Sequence, residues 1–313
     1  MTIIQKPRQS PHCTDCGSSD VLHIGKIPAA NIFAGRVLPE LLDGGHLWCC
    51  DTCHLIFRWP TLGRAELNVL YAGGAGDTWG GPPTKREDWH IAERWLHRVL
   101  SKGSAILDVG CFDGGFLDRL GDAYERYGIE IHPAACQRAE TKGITMIGTN
   151  FESFSCAPAS LDCITAFDVI EHVHQPAQFL KSCCDLVKPG GWIMVATGNA
   201  DSPSFRFMGA RYWYCTIAEH LSFISPRWCY RLADKLGLSI EEYEFFSHGR
   251  RNWFYCLLEL IKNILYRLMP EFFAWLRQQG FGKKDVSIHP ELAANPPGWM
   301  TAKDHFIILF RKR

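Results

Sequence analysis

The chain has 313 residues with 33 Lys plus Arg against 33 Asp plus Glu, so its formal net charge is zero. That balance excludes a general nucleic-acid binder and an acidic tail. A hydrophobic content of 47% is enough to build a core in one large or two modest domains. The fourteen cysteines are scattered, and several sit in apolar runs. No basic stretch followed by an apolar run and a small-residue cleavage site opens the chain. A cytoplasmic protein with reduced thiols is therefore expected, in which paired cysteines suggest metal before disulfide.

Residues 1–60 contain Cys13-Thr-Asp-Cys16 and Cys50-Asp-Thr-Cys53, with 33 residues between the pairs. Two such knuckles can place four thiolates tetrahedrally around one Zn²⁺ at about 2.3 Å. Gly17 permits the tight turn after the first knuckle, and the long intervening segment has room for strands of its own. Cys49 offers an alternative register, and His46 and His54 are further ligand candidates. Four thiolates leave no open coordination position, so the ion would be structural. Residues 61–83 read as a linker, with Gly73, Gly74, Gly76, Gly80, Gly81, Pro82 and Pro83 close together. Tyr71 and Trp79 either close over a ligand or pack on the domain surface. Over 84–101, Trp89, Ile91, Trp95, Leu96, Val99 and Leu100 recur at helical spacing among charges, an amphipathic helix.

The centre of the sequence is Ala105-Ile-Leu-Asp108-Val-Gly110-Cys-Phe112-Asp113-Gly114-Gly115. It reads as a buried parallel strand, a glycine turn that lets backbone approach a ligand, and a helix start with unpaired N–H donors. A second apolar run ends at Glu130, 22 positions after Asp108. An acid about 20 residues on, at the tip of the next strand, accepts hydrogen bonds from ribose hydroxyls. Phe112 stands where nicotinamide-binding turns carry their second glycine, which argues for a ligand without phosphates.

The acid-x-Gly turn from Asp108 to Gly114 resembles the first motif of the class I S-adenosylmethionine-dependent methyltransferases. Its Asp113-Gly114 ending is similar to that of bacterial deoxysugar C-methyltransferases, whose N-terminal zinc-binding domain the 1–60 module also resembles. The resemblance implies an α/β fold: a Rossmann-like, seven-stranded, mostly parallel sheet with helices on both faces, over residues 84–249 and 303–313. It further implies that S-adenosyl-L-methionine lies against Asp108, Gly110, Phe112 and Gly114 at its methionine end. Glu130 and Ile131 would meet the ribose, and Asn150 and Phe151 the adenine, although Glu152 could take the polar role.

Further strands are expected at 144–147, 161–169, 192–197 and 240–246, with a last, antiparallel one at 304–310. Ligands bind at the carboxyl ends of such strands, so Asp168, Glu171 and His172 should face the cofactor's methyl. The Asp-x-x-Glu-His spacing also resembles a segment of the ubiquinone-pathway O-methyltransferases that can bind a divalent ion; capping of the following helix is the alternative. Residues 198–225 crowd Arg206, Phe207, Arg211, Tyr212, Trp213 and Tyr214 as a substrate-facing segment. In the sugar C-methyltransferases a matching Glu-His, here Glu219-His220, supplies the general base. That makes His220 the first candidate and His172 the second, with a helix-capping histidine as the other reading.

Residues 250–281 form a basic amphipathic helical stretch within an insertion at 250–302, a lid, a dimer element or a contact with the inner face of a membrane. Charges and Pro270 exclude a clean membrane span. The expected function is methyl transfer to a small-molecule acceptor, a sugar or related hydroxylated intermediate. A lipid-linked or quinone-like substrate and an inert binding module are the alternatives, and no nucleic-acid partner is expected.

Overall fold

The computed structural model describes residues 10–74, 86–154, 157–249, 252–280 and 288–313. Trp79, the linker glycines and prolines beyond Gly74, Arg250, Arg251, Lys283 and Lys284 lie outside them. Five strands open the described chain: β1 (Val21–Lys26), β2 (Ala30–Phe33), β3 (Arg36–Leu42), β4 (His46–Cys50) and β5 (Ile56–Trp59). β1, β4 and β5 pair antiparallel, and β2 and β3 form a separate hairpin. Helix α1 (Arg64–Ala72) lies inside the segment that composition marks as a linker. Its residues pack against Phe33 and Leu221, so glycines at its end do not make the whole span irregular.

Helix α2 (Glu87–Val99) then leads into alternating strands and helices. These are β6 (Ala105–Val109), α3 (Gly115–Leu120), β7 (Glu125–Ile129), α4 (Pro133–Thr141), β8 (Thr145–Gly148), β9 (Leu161–Phe167), α5 (Pro176–Leu186) and β10 (Val187–Gly198). After them come α6 (Pro203–Met208), β11 (Ser222–Phe223), α7 (Pro226–Lys235), β12 (Leu238–Phe246), α8 (Trp253–Leu268), α9 (Pro270–Gln278) and β13 (His305–Lys312). The main sheet has seven strands in the order β12-β13-β10-β9-β6-β7-β8. Only β13 runs antiparallel to its neighbours.

Alternation along the strands supplies both faces with apolar groups. In β13, Phe306, Ile308 and Phe310 pack with Phe179 of α5 and Trp228 of α7, while Ile307 and Leu309 pack with Trp95 of α2 and Phe116 of α3. Two polar anchors are prominent among the contacts that fasten the N-terminal strands to this body. β11 extends their sheet through β5, and Arg58 of β5 is buried beneath it. The Arg58 guanidinium donates Nε–H to His220 O (2.9 Å), Nη1–H to Gly44 O (3.1 Å) and Nη2–H to Cys215 O (2.7 Å) and Ile217 O (2.9 Å). Burial brings its pKa down to about 10, so it stays charged at neutral pH. At the second point, the Asp15 carboxylate accepts from Ala177 N at the start of α5 (3.0 Å) and from Trp228 Nε1 (2.9 Å).

Candidate functional site

The chain leaves β8 at one edge of the sheet and returns beside β6 as β9, which makes a topological switch point between β6 and β9. A cavity of about 580 Å³ opens there, at the carboxyl ends of β6, β7, β8 and β9. This is the position and size range of a small-ligand site in an open α/β sheet. Gly110 adopts φ 71°, and a Cβ on it would lie 2.7 Å from Val169 Cγ2. Only glycine holds the turn at that point. Phe112 next to it takes φ 48°, and the Arg138 guanidinium sits over its ring at 5.1 Å.

Asp108 and Glu130 both reach the cavity wall from nearly buried positions. Thr165 donates Oγ1–H to Asp108 Oδ1 at 2.7 Å, and burial pushes the Asp108 carboxyl up to about 7. Glu130 accepts from Phe112 N (3.0 Å) on one oxygen and from His132 N (2.8 Å) on the other. Each oxygen keeps a lone pair, since a carboxylate has roughly four acceptor positions. Burial raises its pKa as well. Ile131, Asn150, Phe151 and Asp168 also line the cavity. Gly114 does not: a Cβ there would meet Ile144 Cδ1 at 2.1 Å and Ala139, so the residue is glycine for packing of α3 against α4.

The opposite wall includes Tyr71, which the sequence offered as closing over a ligand, among residues that no motif marks. Leu67, Asn68 and Tyr71 of α1 face the cavity, together with Arg86 and Trp89 at the start of α2. Arg86 bridges Asp88 (2.5 Å) and Asp168 (2.8 Å). Burial alone would raise the Asp168 carboxyl, but Arg86 and the imidazoles of His248, His305 and His172 hold it below the usual range. Asp168 also sits at φ 54°, a left-handed conformation that an acid tolerates better than most residues.

Of the three catalytic candidates, His172 lies on the cavity wall, whereas Glu219 and His220 lie behind it, both buried. Tyr71 OH and His172 Nδ1 are 3.1 Å apart. The His172 and His220 rings meet edge to face at 4.8 Å. His220 donates Nδ1–H to Tyr214 O at 3.0 Å, which fixes its neutral tautomer, and burial with the neighbouring His172 lowers its pKa well below the ordinary value. Burial lowers His172 too. Glu219 accepts from Ala34 N of the N-terminal hairpin. Glu171 is fully buried, accepts from Tyr214 OH at 2.5 Å and leaves Oε2 without a hydrogen-bond partner; burial and Asp168 push it up to about 7. Ligand-type atoms group as Glu171 with His172 and His220, and as Asp168 with His248 and His305, not as Asp168 with Glu171 and His172.

A family model described as a methyltransferase domain matches residues 85–243, about half of the chain. The chain belongs to the S-adenosylmethionine-dependent methyltransferases. It is 30% identical to ubiquinone biosynthesis O-methyltransferases of Leptothrix cholodnii, over 156 residues, and Thiobacillus denitrificans, over 164. Those alignments cover 43% and 48% of this chain, which thus spans about two thirds of the length of the curated relatives it matches, 66% and 71%. The N-methyltransferase NodS of Bradyrhizobium japonicum, solved with S-adenosyl-L-homocysteine, is 16% identical with a TM-score of 0.45, covering 75% of this chain and 92% of that one.

The second constellation of this methyltransferase is the cysteine cluster. The four ligand sulfurs of Cys13, Cys16, Cys50 and Cys53 lie within 4.8 Å of one another. Cys13 Sγ is 3.4 Å from Cys53 Sγ, and Cys16 Sγ is 3.6 Å from Cys50 Sγ. Sulfurs tetrahedrally disposed about Zn²⁺ at about 2.3 Å would stand about 3.8 Å apart, so the donor set fits that ion. Cys49 lies outside the group, as do His46 and His54. Among the described residues no helix is long and apolar enough to cross a membrane.

Proposed function

We propose that this methyltransferase acts on a small hydroxylated acceptor, a sugar or a related biosynthetic intermediate, with His172 as the general base. The observation that carries the reading is a single cavity whose wall includes Asp108, Glu130 and His172 together. In this reading Asp108 holds the methionine ammonium beside Gly110 and Phe112, and Glu130 receives the ribose hydroxyls next to Ile131. Asn150 and Phe151 meet the adenine edge and face, and Gly114 supports the turn from behind. The bound cofactor supplies an electrophilic methyl on a sulfonium.

The chain's residues position the acceptor and take its proton. His172, kept neutral by burial, accepts the hydroxyl proton as the O–C bond forms and the S–C bond breaks. His220 and Tyr71 hold the His172 ring in place, which makes them positioning residues, and Glu219 ties this layer to the N-terminal hairpin. His172 displaces His220 as first candidate because His172 lines the cavity and His220, in contact with its ring, does not. A lipid-linked or quinone-like acceptor is the second reading, favoured by the ubiquinone-pathway relatives.

Transfer from methyl-labelled cofactor to a panel of sugar and phenolic acceptors tests the proposal. His172→Ala should keep cofactor affinity and lose about 10²–10⁴ in turnover. Unchanged turnover, with the loss appearing in His220→Ala instead, would return the role to His220. We further propose one structural Zn²⁺ on Cys13, Cys16, Cys50 and Cys53. Metal analysis should find one zinc per chain, and Cys50→Ser should remove it and lower Tm. A zinc-free wild type of equal stability would overturn that assignment.

A further inference from the structure

Helix α8 is amphipathic, but it is turned inside out. Its buried residues are Asn263 and Tyr266, and its protein side is a row of hydrogen bonds. Tyr266 OH donates to Ala294 O (2.7 Å), Asn263 Nδ2 to Gly298 O (3.3 Å), and Thr301 donates from N (3.0 Å) and Oγ1 (2.7 Å) to Glu259 Oε2. At 3.6 residues per turn, Trp253, Phe254, Leu257, Ile261, Ile264 and Leu268 fall on the opposite face. All six are exposed, Trp253 by 76% and Leu268 by 69%. Helix α9 continues the surface with Phe272 and Trp275, exposed and stacked at 5.9 Å. A contiguous apolar surface of this kind marks an interaction site.

Charge indicates what covers it. Helix α8 carries three charged residues, Glu259, Lys262 and Arg267. The acid is turned inward onto Thr301, and the two cations stand one on each flank of the apolar face. A second copy packed about a two-fold axis would bring these cations towards their own kind, with no outward acid on α8 and only Glu271 at the start of α9 to meet them. Anionic headgroups supply the opposite charge, and their boundary with the acyl chains accepts the aromatic side chains at both ends of the face. We propose that α8 and α9 seat the methyltransferase on a bilayer surface containing anionic lipid, α8 lying in the plane of the interface. The proposal stands whether or not the acceptor is a sugar, and its readout involves no turnover.

The test is vesicle flotation of the full chain. Wild type should float with vesicles of phosphatidylcholine containing one-third phosphatidylglycerol. It should bind pure phosphatidylcholine about thirtyfold more weakly, since each cation near an anionic surface is worth about fivefold. Ile261→Asp should abolish flotation with Tm unchanged. Lys262→Glu, at a position outside the packed stripe, should reduce binding to the anionic vesicles and leave the weak neutral binding as it was, so a folding defect in the first variant leaves the question decidable. Failure of wild type to float, flotation of both variants equal to that of wild type, or a stable dimer in sedimentation that Ile261→Asp converts to monomer without any vesicle binding would each overturn the proposal.

Discussion

Helices α2 and α8 carry comparable apolar stripes in sequence and present them in opposite directions. In α2, Ile91, Ala92, Trp95 and Leu96 are buried against the sheet, and Arg94 and Arg98 look outward, while Asp88 is buried in its pair with Arg86. In α8 the stripe faces solvent, while Glu259, Asn263 and Tyr266 are hydrogen-bonded to the protein. Periodicity records that a helix has two unlike faces. It does not record which one the rest of the chain needs. That depends on what lies beneath: sheet residues such as Ile307 and Leu309 under α2, and the polar backbone of Ala294 and Gly298 under α8.

The sharpest way to test this contrast is to truncate the α2 stripe. Trp95→Ala removes a fully packed indole and should destabilise the fold by about 3–5 kcal/mol, measured by denaturant unfolding. A loss below about 1 kcal/mol would mean that α2 does not hold the sheet. An intermediate effect comes from what burial does to charge at the cavity beside α2. In the proposed reading Asp108, pushed up to about 7, must lose its proton to receive the methionine ammonium. Cofactor affinity should therefore fall about tenfold from pH 8 to pH 6, with proton release on binding, and Asp108→Asn should flatten that dependence. Calorimetry at the two pH values checks it; equal affinities would put a different group on the ammonium. The smallest effect belongs to α8. Ile261→Ala, on its outward face, should shift stability by no more than about 0.5 kcal/mol. A core-sized loss would show that the face is covered in solution, and the contrast with α2 would collapse.

Local chemistry made the strand-and-turn half of the site legible. An acid closing an apolar run, a turn glycine and a second acid one βα unit later are features of consecutive residues, and they put Asp108, Gly110 and Glu130 on the cavity wall. The opposite wall was legible only at Tyr71, one of two linker aromatics offered as closing over a ligand. Asn68 arrives from the same helix, forty positions upstream of Asp108, and Arg86 is recognisable as part of the site only through its pairing with Asp168. Gly114 and His220 illustrate the converse. Both sit in motif-like surroundings, but neither lines the cavity: Gly114 is packed against Ile144 and Ala139, and His220 against the His172 ring. Sequence marks such residues as special without distinguishing contact with a ligand from contact with the core. The attachment of the N-terminal strands through Arg58 carried no sequence signal, because its acceptors are backbone carbonyls.

Cofactor binding to wild type and Glu130→Ala by titration calorimetry probes the central claim most directly. The account predicts that S-adenosylmethionine binds wild type one to one. It predicts affinity lower by about tenfold to a hundredfold in the variant, the loss expected for hydrogen bonds to a charged acceptor. Indistinguishable affinities, or no binding to the wild-type chain, would contradict it.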